Sequence, residues 1–191
     1  MSNTGNWAIL QKDCEALLIP SATPVIIPSG TNVQITQQLG GSTTIQVNGQ
    51  LLRIESKDSW ALGAEPNQYN TIGSQDNVSK NIEADGPVDI DEIWQQLRTC
   101  YDPEIPVNVV DLGLIYTCQI TPSDNGKANY ISIEMTLTAP GCGMGPVLAS
   151  DIESKVRSIK NVTDVSVHIV FEPVWGQERM SESAKLELGL L

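Results

Sequence analysis

Histidine, aromatic side chains and basic residues are scarce in this chain, and each shortage excludes something. One histidine in 191 residues leaves no partnered imidazole to serve as a catalytic base. Eleven Lys and Arg against 23 Asp and Glu give a formal charge of -12. A chain so acidic is repelled by nucleic acid and by anionic membrane, so neither is expected as a partner. Four cysteines, at 14, 100, 118 and 142, form no CxxC pair. Sequence-adjacent thiols therefore supply no zinc or ferredoxin-type site. No apolar run approaches the length of a transmembrane helix, and residues 1 to 12 lack the basic-then-apolar order of a signal peptide. The expected location is the cytoplasm, where a disulfide framework is not expected either. Neither is there a phosphate-binding glycine loop followed by Lys-Ser/Thr.

What is abundant suggests short strands and turns. Hydrophobic residues make up 40% of the chain, enough for a core, alongside 15 Gly, 11 Pro and only 5% aromatics. From about residue 7 to 64 the β signals dominate. Strand-like runs at 24–30 and 32–36 are parted by Ser29-Gly30, Gly40-Gly41 makes a further break, and Asn48-Gly49 between two apolar runs is a hairpin signal. A small antiparallel sheet or partly closed barrel is predicted. Trp7, Leu10, Cys14 and Leu17 recur at three to four residues, which predicts a short helix within residues 1 to 18. Residues 65–87, rich in Gly, Asn, Ser, Gln and Asp, read as a linker.

The domain predicted after it, 88–191, has the order helix, strand, strand, helix, strand. Asp89 caps a first helix with Ile90, Ile93, Trp94, Leu97 and Cys100 on its buried face. Two prolines, Pro103 and Pro106, stop it. Strands follow from Leu114 to Ile120, with Cys118 on the apolar side, and from Asn129 to Leu137; the turn at Ser123-Asp124-Asn125-Gly126 joins them. A second helix opens at Pro146 and a last strand carries Val165, Val167, Ile169 and Phe171 inward, leaving His168 at the surface. A short helix from Ser181 to Leu188, stopped by Gly189, leaves an apolar edge of leucines that needs covering. The expected class is α+β: a small N-terminal β-rich domain, 1–64, then a two-layer α-β-β-α-β domain.

The stretch Thr138-Ala139-Pro140-Gly141-Cys142-Gly143-Met144-Gly145-Pro146 places one cysteine in a glycine-lined loop between strand and helix. Unpaired backbone N–H groups at the helix start make Cys142 the candidate reactive thiol. A buried cysteine in a tight turn fits the same residues. Asp102 and Glu104 flank Pro103 in a stiff loop that an antiparallel sheet brings to the same end as Cys142. As a helix stop, the same loop needs its acids only to cap neighbouring N–H groups.

Asp102-Pro103-Glu104-Ile105-Pro106-Val107-Asn108-Val109-Val110-Asp111-Leu112-Gly113-Leu114-Ile115-Tyr116, then Met135 through Cys142, resembles the signature of a domain that matures iron–sulfur proteins. Phe171-Glu172-Pro173-Val174-Trp175 and the stretch from Met180 to Leu190 are similar to that family's C-terminal end. A β segment ahead of the domain is the arrangement of its SufT branch. The hairpin from Ser123 to Tyr130 is longer than the pattern, which leaves the motif intact.

The resemblance implies a non-enzymatic accessory factor of iron–sulfur cluster assembly that carries or hands over a cluster to client apoproteins. Its motif residues fall on Asp102, Pro103, Glu104 and Thr138 for the bound cofactor and on Cys142 for the metal. Its partners are assembly proteins and client apoproteins. Four ligands for a two-iron cluster against one thiol imply a transient iron–sulfur cluster shared between subunits of a homo-oligomer. Two alternatives stand beside this: an adaptor that binds no metal, and an enzyme with a cysteine nucleophile and Glu104 as base, which the missing histidine disfavours.

Overall fold

In a computed structural model of the protein, residues 6–63, 86–123 and 128–190 are described. The predicted linker, apart from Gly86 and Pro87, lies outside the described residues, as do Asp124, Asn125 and Gly126 of the predicted turn. The chain divides into two compact units, the first ending at Thr71 and the second running to Leu191; the short segment Pro103–Pro106 groups with the first.

The first unit is a six-stranded sheet in the order β1-β4-β5-β6-β2-β3, antiparallel throughout. Its strands are β1 (Asn6–Ile9), β2 (Cys14–Leu18), β3 (Thr23–Ile27), β4 (Asn32–Leu39), β5 (Ser42–Val47) and β6 (Gln50–Ile54). Gly40-Gly41 and Asn48-Gly49 make two-residue hairpin turns, closing Leu39 on Ser42 and Val47 on Gln50, with positive φ at all four residues. Leu10 N–H donates to the Thr31 carbonyl, which carries the β1–β4 pairing one residue further, and Gly30 N–H donates to the Leu10 carbonyl; β1 and β3 remain the two edges of an open antiparallel sheet. Leu10, Ala16, Val33, Ile45, Ile54 and Ala61 are at most 1% exposed and form the core, the last of them from a 3₁₀ turn over Ser56–Leu62.

The predicted N-terminal helix is corrected to the two strands β1 and β2. Leu10 and Cys14 are buried as that spacing requires, but Trp7 is 63% exposed. The strands form because β1 finds β4, and β2 finds β3 and β6, pairings that a local period does not register.

The second unit has the expected order: α1 (Ile90–Leu97), β7 (Ile115–Pro122), β8 (Asn129–Met135), α2 (Gly145–Arg157) and β9 (Asp164–Ile169), with α3 (Glu182–Glu187) following. Its sheet runs β7-β8-β9, the first pair antiparallel and the second parallel. The parallel pair needs a crossover, and α2 supplies it, packing on β9 and α1. Asp89 caps α1, its Oδ1 accepting from Asp91 N–H at 2.9 Å. Ile93, Leu97 and Cys100 are fully buried, with Ile131, Ile133 and Met135 of β8 and Leu148, Ile152 and Val156 of α2. Ile90, predicted on that buried face, is 38% exposed, because a first-turn residue reaches past the helix end.

Two further expectations are corrected. Phe171 is 49% exposed because β9 stops at Ile169 and the chain leaves the sheet. Cys118 is half-buried, since β7 is an edge strand with an irregular register between Ile115 and Thr117. His168 is exposed as expected. No helix among the described residues is long and apolar enough to cross a membrane.

Candidate functional site

The Cys142 loop is shaped by how β8 gives way to α2. Beyond Met135 the strand holds for one more bond, Thr136 N–H to the Leu114 carbonyl at 2.8 Å, and Thr136 and Leu137 stay buried. The chain then turns: Cys142 N–H donates to the Ala139 carbonyl at 3.3 Å, and the Cys142 carbonyl accepts from Gly145 N–H at 3.2 Å. Both backbone groups of the cysteine are therefore used, and its side chain is half-buried. Met144, 1% exposed, anchors the loop in the core and caps α2, two residues beyond the thiol. Pro146 takes the second helical position, where its missing N–H costs nothing. Gly145 allows the helix start to lie on the sheet: a Cβ there would come within 2.7 Å of Leu137 Cδ1.

The other thiols are held differently. Cys14 and Cys100 are buried, and burial pushes both thiols up, that of Cys100 to about 12. Burial also raises the Cys118 thiol.

An open cleft lies against the loop. Thr136, Leu137, Thr138 and Pro140 form one wall, and Phe171, Glu172, Val174 and Trp175 form the other. The second wall is a strap that follows β9 and is tied down along its length. Tyr116 Oη donates to the Pro173 carbonyl at 2.6 Å, and Trp175 Nε1–H to that of Leu112 at 2.9 Å. The Arg179 guanidinium lies 4.4 Å from the centre of the Tyr116 ring, and Ser181 N–H donates to the Asp111 carbonyl. The receiving turn is itself braced: Asn108 Oδ1 accepts from Val110 and Asp111 N–H groups, and its Nδ2 donates to Asp111 Oδ2. Asp111-Leu112-Gly113 is thus the seat of the strap.

Of the predicted site residues, Thr138 and Cys142 share one loop, with Thr138 facing the cleft. Asp102 is 7% exposed and belongs to the second unit, its N–H donating to the Val107 carbonyl at 3.2 Å. Pro103, buried, and Glu104, exposed, fall with the first unit. The strap wall has no counterpart among the predicted site residues. Its signal was Phe171-Glu172-Pro173-Val174-Trp175 itself, a proline-stiffened pair of aromatics just past the last strand.

Comparison with known proteins bears on this same stretch. The family profile of iron–sulfur cluster assembly proteins matches residues 90–169, which hold the motif from Asp102 to Cys142. The Fe-S protein maturation auxiliary factor of Porphyromonas gingivalis is 46% identical over 101 residues, 53% of this chain and 91% of that protein. The auxiliary factor YitW of Bacillus subtilis is 34% identical over 52% of this chain and 93% of its own length. For the auxiliary factor SufT of Staphylococcus aureus the figures are 36%, 47% and 96%. Each relative is spanned nearly whole by about half of this chain. On that half, the chain belongs to the SufT-like family of iron–sulfur cluster assembly proteins.

Proposed function

We propose that the chain is a cytoplasmic accessory factor, not an enzyme, that receives an iron–sulfur cluster as cargo and hands it to client apoproteins through Cys142. The observation that carries this reading is the placing of the four cysteines: Cys142 alone stands on a loop beside a cleft, inside the stretch that matches the family. Ligand chemistry sets the form of the complex. A two-iron cluster takes about four protein or small-molecule ligands. Among the described residues no three His, Cys, Asp or Glu gather at one place. The cargo is therefore held between two copies, each donating Cys142, with Asp102, Glu104 or an outside thiol completing the set. Thr138 offers a hydroxyl from the same loop, and Pro103 stiffens the acidic one. A cluster shared in this way is exposed and weakly held, which suits transfer.

Anaerobic reconstitution with iron and sulfide should give the visible absorption of a cluster in the native chain and none in Cys142→Ala. In cells lacking the protein, Cys142→Ala should fail to support the activity of iron–sulfur enzymes. It should do so while changing stability by no more than about 0.5 kcal/mol, as befits a half-buried loop position. Glu104→Gln should weaken that support. Full client activity with Cys142→Ala would refute the role. The adaptor reading is favoured by the apolar cleft beside the loop. Its mark is native protein that supports client enzymes and never takes up iron and sulfide.

A further inference from the structure

We propose that the cleft beside the Cys142 loop is a docking groove for an extended segment of a partner protein that presents a large apolar side chain next to a lysine or arginine. The inference rests on the accessory-factor reading and adds the chemistry by which the partner is recognised.

The first support is a pair of apolar side chains held out of any core. Phe171 is 49% exposed and Val174 77% exposed. Neither is loose chain: Pro173 between them accepts the Tyr116 hydroxyl, and Trp175 next to them donates its indole N–H to Leu112. A segment fixed by its own hydrogen bonds gains nothing from showing apolar surface to water, unless that surface is covered in a complex. The second support is charge. Glu172 is the one ionisable side chain among the described residues that line the cleft. It stands between those apolar neighbours, on a chain of formal charge -12. An acidic group at the rim of an apolar groove selects a basic residue beside the inserted one and repels acidic segments. The third is position. Thr138 and Pro140, on the opposite wall, belong to the turn that ends at Cys142. A segment seated in the cleft is thereby brought alongside the thiol through which cargo leaves.

The test uses the full-length chain and three capped, fluorescein-labelled hexapeptides: Gly-Lys-Leu-Trp-Lys-Gly, the same with both lysines replaced by glutamate, and the same with Leu-Trp replaced by Ser-Ser. Fluorescence anisotropy should show the basic apolar peptide binding at least about tenfold more tightly than either control. The preference should shrink as salt rises. Glu172→Lys should reverse the order of the two charged peptides, and Val174→Glu should abolish binding of the basic one. Amide N–H signals of Thr138, Ala139, Phe171, Glu172, Val174 and Trp175, and the Trp175 indole N–H, should shift on titration. Equal affinity for the charged peptides, or shifts confined to other residues, overturns the proposal. So does a self-association that Val174→Glu abolishes, because the cleft is then filled by a second copy. Client activity in the deletion strain separates this inference from the one beneath it. Failure of Val174→Glu alongside Cys142→Ala supports both, and full activity of Val174→Glu with failure of Cys142→Ala overturns the docking groove alone. Full activity of Cys142→Ala overturns the accessory reading and the groove's role with it.

Discussion

The four cysteines occupy four different environments. Cys14 points into a β core, Cys100 is buried three residues past the end of α1, Cys118 lies in an edge strand, and Cys142 stands in the turn before α2. Alkylation needs both access and thiolate. Burial raises the Cys14, Cys100 and Cys118 thiols, that of Cys100 from 9.0 to about 12, so even at pH 9 Cys100 stays protonated in the folded chain. Iodoacetamide at neutral pH should therefore modify Cys142 roughly tenfold faster than any other cysteine, or more, as mass spectrometry would read it. In denaturant all four should react alike. Equal rates in the folded chain would remove the special standing of Cys142. That standing was legible because glycines on both sides and a proline after it mark a loop that no period of 2 or 3.6 extends through. Cys118 was misplaced for the opposite reason. Its strand alternates correctly, but alternation does not say that a strand lies at the sheet's edge, where the apolar side is only half covered.

At the level of elements, local signals and distant pairings had opposite fates. The Asn48-Gly49 hairpin, the Asp89 cap and the short helix from Ser181 stopped by Gly189 were all readable, because each depends on residues close to each other in sequence. The strands β1 and β2 were not: β1 pairs with β4 and β2 with β6, both distant in sequence, and the near pairing of β2 with β3 carries no strong turn signal. The strap over 171–181 belongs with the unreadable class: its residues form a visible motif, but their seat on Asp111-Leu112-Gly113 is some sixty residues back. Gly113 makes the seat. It has a φ of +70°, and a Cβ there would collide with the Arg179 carbonyl oxygen, a backbone atom that cannot step aside cheaply. Gly113→Ala should cost about 2–4 kcal/mol, combining left-handed strain with overpacking. Because the clash falls on the strap, the indole N–H of Trp175 should lose its hydrogen bond to Leu112. A urea midpoint unchanged from the native chain, with the Trp175 indole signal in place, would contradict this account.

The whole molecule joins a β unit to a unit of a different kind, and half of the chain suffices to span the related proteins. The second unit has its own core, with Ile93, Leu97, Leu112, Leu114, Ile131, Ile133, Met135 and Ile152 all fully buried. Its opening residues are tied to that core rather than trailing from it. The Gly86 carbonyl accepts from Asn129 Nδ2 at 3.0 Å, and the Pro87 carbonyl from Asn161 Nδ2 at 3.2 Å. Asn129 is 4% exposed and its Nδ2 also donates to the Asn161 carbonyl at 3.0 Å, so the bond to Gly86 is one of two and contributes about 0.5–1.5 kcal/mol. The domain start predicted from composition, residue 88, thus falls just after two residues whose carbonyls this unit uses. A fragment of residues 86–191 should fold alone, with cooperative thermal unfolding by far-UV circular dichroism. A fragment beginning at Val88 should fold too, with a lower midpoint, because two of the carbonyls that the asparagine amides bond are then missing, while the Asn129 amide keeps the Asn161 carbonyl. Two fragments with the same midpoint would show that those carbonyls contribute nothing. A fragment of residues 86–191 with no cooperative transition would show that this half of the chain depends on the other to fold.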